Sequence, residues 1–189
     1  MKTAAIEQPA LAVKSAPLKV GALAPYFSGI DQNGEFQSLD RIVQNGPFVL
    51  IFYRGHWCDY CASHLMKFQS GLDNLTIQGF PLILVTPEKK KFIHKTRVKF
   101  PIIHDNLNYI TTNYKVASPP PETLAHPSSR VDFSDINDAD NSVILVPATY
   151  IIGDDGTIKY GHFDLNYTLR SSFKEVAKKV QEIKASKLN

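Results

Sequence analysis

Two continuous apolar runs constrain the fold of this chain more than any other feature. Residues 47–53 read PFVLIFY and residues 80–86 read FPLILVT, and both runs are rich in β-branched and aromatic residues. Such runs are typical of strands that are buried on both faces of a parallel sheet. Between them, apolar residues recur three and four positions apart up to Gln78-Gly79, which predicts a helix. Strand, helix and strand in this order predict an α/β fold with a right-handed crossover.

The flanking segments extend this pattern. Asn33-Gly34 lies between apolar residues and predicts a hairpin over residues 27–39, because Asn-Gly tolerates positive φ. Pro87-Glu88 is predicted to open a lysine-rich helix, since proline is tolerated in a first helical turn. The remaining predicted elements are a strand at 100–104, a helix at 107–116, a hairpin at 143–163 that turns at 153–156, and a final helix with its apolar face at 173–183.

Length and composition predict a single domain. The chain has 189 residues, of which 43% are hydrophobic, and this is enough for one sizeable core. We expect residues 1–19 to form a loose N-terminal arm and residues 20–189 to form the domain. Residues 117–142 break the alternation with four prolines and many small polar residues, so they are interpreted as a loop insertion that contains a short helical turn or acts as a lid.

Charge and hydropathy exclude several classes of protein. The net charge of +3 is spread along the chain, and no base-reading module is recognisable, so nucleic acid is not an expected partner. No run approaches the roughly 18 apolar residues that a membrane span requires. Glu7, Gln8 and Pro9 interrupt the N-terminus before the apolar core of a signal peptide forms. Two cysteines do not make a disulfide framework, so a reducing cytoplasm is expected.

The two cysteines, Cys58 and Cys61, form a CxxC motif where the first apolar run gives way to the predicted helix. A helix N-terminus carries about half a positive charge and favours thiolate over thiol. A metal site would need four ligands, and His56 with the two cysteines makes only three, so no metal is expected. The motif is therefore interpreted as a redox pair that needs no bound cofactor.

Longer stretches carry a resemblance to a known family. FYRGHWCDYC after a buried strand, followed by VPATYIIGDDGTI, resembles the thioredoxin-fold superfamily and, within it, the peroxiredoxin-like branch of the alkyl hydroperoxide reductase and thiol-specific antioxidant family. GALAPYFSGIDQNGEFQSL at 21–39 and KFPIIHDNL at 99–107 resemble further segments of that family. The resemblance implies a thioredoxin-like α/β fold with a central mixed β-sheet, flanking helices and an N-terminal hairpin.

The resemblance also assigns residues of the site. Peroxiredoxins have a threonine three positions and a proline seven positions before the peroxidatic cysteine, and an arginine from a later strand. On that pattern Cys61 is the peroxidatic cysteine, Cys58 replaces the threonine, Arg54 replaces the proline, and Pro147 stands where the arginine would lie. Trp57 with the two cysteines instead resembles the WCxxC of thioredoxins, in which the indole forms a wall of the site, and Pro147 resembles their cis-proline.

The two resemblances leave the first nucleophile open. Thioredoxin chemistry would start at Cys58, peroxiredoxin chemistry would start at Cys61, and both end at the same disulfide. Asp59 is expected to oppose the thiolate, whereas Arg54 and His56 favour it if they point inward. Arg54 could then partly replace the family's arginine, but a salt bridge or a solvated position at the strand end is the favoured interpretation for it.

The function predicted from the sequence is a thiol-dependent antioxidant oxidoreductase. It would cycle the Cys58–Cys61 dithiol and disulfide and reduce peroxides or protein disulfides, with an external thioredoxin- or glutathione-type reductant. The alternative is a non-enzymatic redox-sensing or interaction module on a thioredoxin fold. A homodimer is left open as a further partner.

Overall fold

The structure is a computed structural model that describes residues 15–118, 133–137 and 144–186. The strands are β1 Ser28–Ile30, β2 Phe36–Ser38, β3 Phe48–Phe52, β4 Leu82–Thr86, β5 Ile102–His104, β6 Ala117–Ser118, β7 Ile144–Leu145, β8 Ala148–Ile152 and β9 Ile158–Phe163. The helices are α1 Leu39–Gln44, α2 Asp59–Ser70, α3 Leu72–Ile77, α4 Lys90–Ile93, α5 Tyr109–Asn113, α6 Phe133–Ile136 and α7 Phe173–Ser186, and His94–Thr96 form a 3-10 turn. Within these ranges no helix has both the length and the apolarity that crossing a bilayer requires.

The central sheet has five strands in the order β5-β4-β3-β8-β9. β3 and β4 are parallel, as are β4 and β5, whereas β8 runs antiparallel to both β3 and β9. Ala148, the first residue of β8, therefore pairs with Phe52, the last residue of β3. The two buried runs form adjacent parallel strands, and the sheet as a whole is mixed, as predicted.

The sheet is buried on both faces because side chains alternate along β3. Phe48, Leu50 and Phe52 contribute to one apolar cluster, which includes the buried side chains of α1 and α5. Val49 and Ile51 contribute to the other cluster, which includes those of α2 and α7. Both cysteines of the CxxC motif belong to this second cluster.

The N-terminal hairpin is confirmed. β1 and β2 pair antiparallel across a turn in which Gly34 has a φ of 87°. Residues 1–14 of the predicted arm lie outside the described part of the chain. Its last residues are docked on the domain, because the Ala16 N–H donates to the Lys115 carbonyl at 3.1 Å and Leu18 packs against the core.

The helix predicted after the redox motif is divided into α2 and α3 at Gly71. This glycine has ordinary right-handed dihedral angles, with φ −100° and ψ 3°. A Cβ atom added to it would lie 2.1 Å from Cζ of Phe173, the first residue of α7. The break is therefore the point at which the C-terminal helix packs against the redox helix, and close approach rather than backbone geometry requires the glycine.

Replacing Gly71 with alanine should lower the free energy of unfolding by about 2 kcal/mol, because the added methyl group overlaps the Phe173 ring. Urea unfolding measures this change. Ser70→Ala is the matched control at an exposed neighbour, and its midpoint should hardly move. A Gly71→Ala/Phe173→Leu double mutant should recover part of the loss; a loss equal to the sum of the single changes would argue against the steric explanation.

The helix predicted to open at Pro87-Glu88 starts later, at Lys90. Glu88 instead forms an antiparallel bridge with Asn137, and the Lys89 N–H donates to the Ile136 carbonyl at 2.7 Å. Extended pairing of this backbone excludes helical dihedral angles there. The segment that it pairs with includes α6, which confirms a short helical turn inside the predicted insertion. Residues 119–132 and 138–143 of that insertion lie outside the described residues, and its predicted role as a lid stays a prediction.

Candidate active site

The CxxC motif forms the start of α2 at the carboxyl end of β3. Cys58 is the N-cap residue, with extended dihedral angles, and its carbonyl accepts the first helical hydrogen bond from the Ala62 N–H at 3.0 Å. Cys61 lies in the first turn. Both thiols are free, and their residues are only 5% and 2% exposed. The pair is thus a reduced dithiol almost enclosed by the protein.

The two thiols differ in acidity. The Cys61 thiol donates to Cys58 and, together with the nearby charges of Arg54 and Arg170, lowers the pKa of Cys58 from 9.0 to about 6. Burial, followed by the hydrogen bond to Cys58, raises the pKa of Cys61 well above its ordinary value. At neutral pH Cys58 is therefore the thiolate and Cys61 keeps its proton.

This asymmetry predicts a thiolate transition with its midpoint at about pH 6 in the reduced protein, read as thiolate absorbance at 240 nm. The transition should be missing from Cys58→Ser. Between about pH 6 and 9 the folded Cys58 has lost the proton that the unfolded thiol still holds, so the unfolding free energy of the parent, relative to Cys58→Ser, should rise with pH across this window. A flat difference would contradict the assignment.

Arg54 lies beside the redox pair and is buried, with no ion pair among the described residues, so the expectation of a salt bridge or a solvated position at the strand end is wrong. Its guanidinium is sandwiched between the rings of Trp57, at 4.7 Å, and Tyr167, at 4.5 Å. The residue is 4% exposed, and its Nε has no hydrogen-bond partner among the described residues. The aromatic faces hold this cation close to Cys58, which is the cationic contribution expected of an inward-pointing Arg54.

Arg170 is the site residue that sequence reasoning missed. Its Nη2 donates to Cys61 Sγ at 3.4 Å across 109 positions of sequence, and its charge lowers the pKa values of both thiols against the effect of burial. The only sequence signal is that Arg170 is the sole basic residue in the segment 164–172, between β9 and α7. Nothing in its spacing from the CxxC motif points to the site.

The segment 164–172 is fixed over the site by several contacts. Tyr167 packs on Arg54 and also edge-on against Tyr60, at a centroid distance of 5.7 Å. The Ser171 hydroxyl donates to Thr149 Oγ1 at 2.8 Å. The Ser171 carbonyl accepts from Nε2 of His64, which projects from α2. These contacts hold Arg170 against the sulfur atoms.

His56 does not point at the cysteines. Its Nδ1 bonds to Oε1 of Glu88, its backbone N–H donates to the same oxygen at 3.0 Å, and its ring packs against Phe92. The expectation that His56 favours the thiolate directly is replaced by a structural role, because its polar atom is engaged by the buried carboxylate. Glu88 also accepts a hydrogen bond from the Tyr53 hydroxyl at 3.4 Å.

Gly55 explains why this loop passes so close to Glu88. Gly55 has a φ of 138°, and a Cβ atom there would lie 2.6 Å from Trp57 Nε1 and 2.9 Å from Glu88 Oε1. The glycine thus lets the chain turn from β3 into the redox motif against the carboxylate.

Glu88→Ala should lower the free energy of unfolding by about 2 kcal/mol, because it removes the carboxylate that binds the backbone N–H and the ring of His56 and takes one of two partners from the buried Tyr53 hydroxyl, which keeps Thr96. Glu88→Gln keeps one acceptor oxygen and should cost less. Glu182→Ala, which removes an exposed carboxylate, is the control and should leave the urea midpoint in place. Equal effects at both positions would show that the buried carboxylate does not hold the loop.

The other predicted site residues have mixed outcomes. Trp57 is half-buried beside Cys58 and contacts Arg54, as expected of a wall of the site. Asp59 is exposed in the first turn of α2, and the pKa of Cys58 is low despite it. Pro147 directly precedes β8, at the sheet edge where β3 ends, but its peptide bond is trans, since the described residues contain no cis peptide. The resemblance of Pro147 to a cis-proline is therefore wrong.

A cavity of about 270 Å³ adjoins Arg54. Its walls are mainly apolar and include Leu145, Leu165 and Tyr167. The cavity thus provides an apolar space near the dithiol that is large enough for a small organic group. Among the residues that the structure describes, no group of three or more histidine, cysteine or acidic side chains could hold a metal ion.

Comparison with solved structures identifies the fold. The chain superposes on the reduced 2-Cys peroxiredoxin of Plasmodium vivax with a TM-score of 0.68 and 18% identity, covering 90% of this chain and 84% of that one. For peroxiredoxin 6 of Arenicola marina the TM-score is 0.69 with 16% identity and coverages of 89% and 74%. A yeast mitochondrial 1-Cys peroxiredoxin, described with its thiol resolving mechanism via glutathione and thioredoxin systems, gives a TM-score of 0.68 and 15% identity, covering 90% of this chain and 78% of that one. The fold is thus the thioredoxin-like α/β fold.

The sequence comparison then gives the family. Residues 20–161 match the AhpC/TSA family, whereas a comparison with curated protein sequences gives no significant match. The match spans most of the chain, and the chain belongs to the AhpC/TSA family of peroxiredoxins. Family membership implies a thiol-dependent peroxidase with an antioxidant role, in agreement with the family resemblance of the motifs. Peroxiredoxins typically use a thiol reductant and no bound cofactor.

Proposed function

We propose that the protein reduces peroxides with Cys58 as the first nucleophile and Cys61 as the resolving thiol. The observation that carries this proposal is the pair of guanidinium groups at the dithiol. Arg170 donates to Cys61 Sγ at 3.4 Å, and Arg54 is stacked beside Cys58. The family's arginine from a later strand is replaced by Pro147 in this chain, and these two cations supply the missing charge from other positions.

The thiol asymmetry supports the order of the steps. The Cys58 thiolate attacks the outer oxygen of the peroxide, the O–O bond breaks, and the alcohol or water leaves with a proton while Cys58 becomes a sulfenic acid. The Cys61 sulfur then attacks the sulfenic sulfur. Its proton combines with the departing hydroxide as water, and the Cys58–Cys61 disulfide forms. An external thiol, of the thioredoxin or glutathione type, returns two electrons and restores the dithiol in a reducing compartment such as the cytoplasm.

Peroxide is favoured over a protein disulfide as the oxidant. Of the two features that suggested thioredoxin-type exchange, the WCxxC motif remains, whereas the peptide bond of Pro147 is trans. Two arginine side chains suit the negative charge that develops when an O–O bond breaks. The family membership of the chain favours the same substrate.

Peroxide titration of the reduced protein tests the proposal. One equivalent of hydrogen peroxide or of an organic hydroperoxide should remove both thiols and lower the mass by two hydrogen atoms. Steady-state turnover should follow with thioredoxin or glutathione as the reductant. A Cys58→Ser/Cys61→Ser protein is the control. Thiols that survive peroxide in a protein that reduces disulfide substrates would instead support thiol–disulfide exchange.

A further inference from the structure

A second cavity lies beside the redox helix, on the far side of Arg170. It has a volume of about 340 Å³ and lies between α2 and residues 168–172, and we name it the α2 groove. Side chains at positions 60, 63, 64 and 67 form its α2 wall. These positions are three and four apart and therefore share one face of the helix.

The groove is positively charged. Lys67 and Arg170 both line it, and none of its lining residues is acidic. Neither cation forms an ion pair with a carboxylate in the part of the chain that the structure describes. The pKa of His64, which also lines the groove, is lowered to about 4 by burial and then by the positive charges of Arg170 and Lys67. His64 is therefore neutral at pH 7. Among the described residues the one anion that acts on Arg170 is therefore the Cys58 thiolate, and this charge is lost when the Cys58–Cys61 disulfide forms.

Donor atoms at the groove also lack acceptors. Nε and Nη1 of Arg170 are buried and have no hydrogen-bond partner among the described residues. Ser63, Thr168 and Ser172 add hydroxyl groups to the lining. Buried donors without acceptors are costly in a folded protein. Cations, unused N–H donors and hydroxyls in one cavity are the chemistry that binds an oxyanion.

Arg170 connects the groove to the redox pair. It lines the cavity, and its Nη2 lies 3.4 Å from Cys61 Sγ. An anionic group held by this guanidinium brings the rest of its molecule next to the sulfur atoms. A free phosphate has no further atoms to deliver, whereas a carboxylate that belongs to a thiol would bring its own sulfur to the disulfide.

We propose that the α2 groove binds the carboxylate of a small anionic thiol, which then reduces the Cys58–Cys61 disulfide. This inference rests on the proposed function, since it concerns the reductant of the same cycle. The thiolate of the bound reductant attacks Cys58 Sγ, the Cys58–Cys61 bond breaks, and Cys61 leaves as a thiolate that takes up a proton. A second thiol then attacks the mixed disulfide, releases the oxidised reductant, and leaves Cys58 as a thiolate.

Matched thiols test the proposal on protein oxidised with diamide, so that peroxide activity plays no part. The rate of disulfide reduction is measured with 3-mercaptopropionate and with neutral 2-mercaptoethanol by acid quenching, alkylation and mass spectrometry. Each rate is divided by that of the same thiol with a small model disulfide, to remove differences in intrinsic reactivity. The corrected preference for the anionic thiol should be about fivefold or more at low ionic strength, the range of one to two partly exposed ion pairs.

The variant Lys67→Gln should lower this preference about threefold, and Lys67→Arg should restore it. Lys67 is exposed, so the variants should fold. Lys184→Gln, which removes an equally exposed charge near the end of α7, is the control and should keep the preference. Inorganic phosphate at constant ionic strength should slow the anionic thiol alone.

Three results would overturn the proposal. One is a corrected preference near one in the parent, another is an equal loss in Lys67→Gln and Lys184→Gln, and the third is phosphate inhibition that is the same for both thiols. The last would indicate a site for free anions that does not deliver a thiol. A protein that shows the preference but is not oxidised by peroxide would overturn the proposed function and leave the groove assignment in place.

Discussion

In the Cys61→Ser protein, peroxide is expected to produce a sulfenic acid at Cys58 rapidly, whereas Cys58→Ser should form one at Cys61 at least about 100-fold more slowly at pH 7. The reason is the difference in thiolate population. In the parent, a pKa of about 6 leaves Cys58 mostly ionised at that pH, and the serine hydroxyl of Cys61→Ser can donate to the thiolate in place of the Cys61 thiol. Burial, the largest cause of the raised pKa of Cys61, persists in Cys58→Ser, and a thiol with a pKa above 9.0 is ionised in about one molecule in a hundred or fewer. The nucleophile is the thiolate, so the rates follow these populations.

Dimedone trapping followed by peptide mass spectrometry locates the sulfenic acid in each variant. The parent is the internal reference, since Cys61 should convert its sulfenic acid to the disulfide before dimedone reacts. Fast trapping at Cys61 in Cys58→Ser would reverse the proposed roles and match the alignment that places Cys61 on the family's peroxidatic cysteine. Slow trapping in both variants would remove peroxide as the substrate.

Arg170→Gln should lower kcat/KM for peroxide about 100-fold, which is the usual cost of removing one donor that stabilises charge in a transition state. The guanidinium contacts Cys61 Sγ and helps to lower the pKa of Cys58. The variant should therefore also move the thiolate transition of Cys58 to higher pH. Arg170→Lys keeps the charge but loses the planar guanidinium with its paired N–H donors. It should therefore restore the pKa of Cys58 more fully than kcat/KM for peroxide.

Arg41→Gln provides the matched control for this prediction, because Arg41 is an exposed arginine on α1 whose guanidinium contacts the carbonyl and the ring of Phe36. It should change neither the rate nor the thiolate transition. If Arg170→Gln kept the rate of the parent at saturating pH, where Cys58 is fully ionised in both proteins, the guanidinium would act only on the thiol pKa and not on the reacting oxygen atoms.

The parts of the fold that the sequence predicts correctly are those with local signals. Continuous apolar runs identify β3 and β4, and Asn33-Gly34 identifies the first hairpin, since both patterns follow from the backbone and burial of consecutive residues. The division of the redox helix at Gly71 depends on Phe173, which is about 100 positions away, so no local pattern contains it. The late start of α4 likewise depends on a pairing between Glu88 and Asn137.

The residues of the site likewise fall into those with local sequence signals and those that depend on tertiary structure. The CxxC spacing, Trp57 and the neighbouring Arg54 are local, and the sequence predicts them together. Arg170 and Glu88 reach the motif through tertiary structure, so their roles appear only when β9, α7 and β4 are assembled around α2. The direction of His56 shows the same dependence, because the buried carboxylate that captures its ring comes from a different strand end.

Trp57 is the sole tryptophan of the chain, and it lies directly before Cys58 with the Arg54 guanidinium 4.7 Å from the ring centroid. Indole emission responds to nearby cations, thiolates and disulfides. Each change of charge or bonding at Cys58 should therefore alter the fluorescence of the unlabelled protein. Oxidation and reduction can then be followed in real time by stopped-flow spectroscopy, with no dye, tag or coupled enzyme, because the protein carries its own optical reporter one residue away from the reaction.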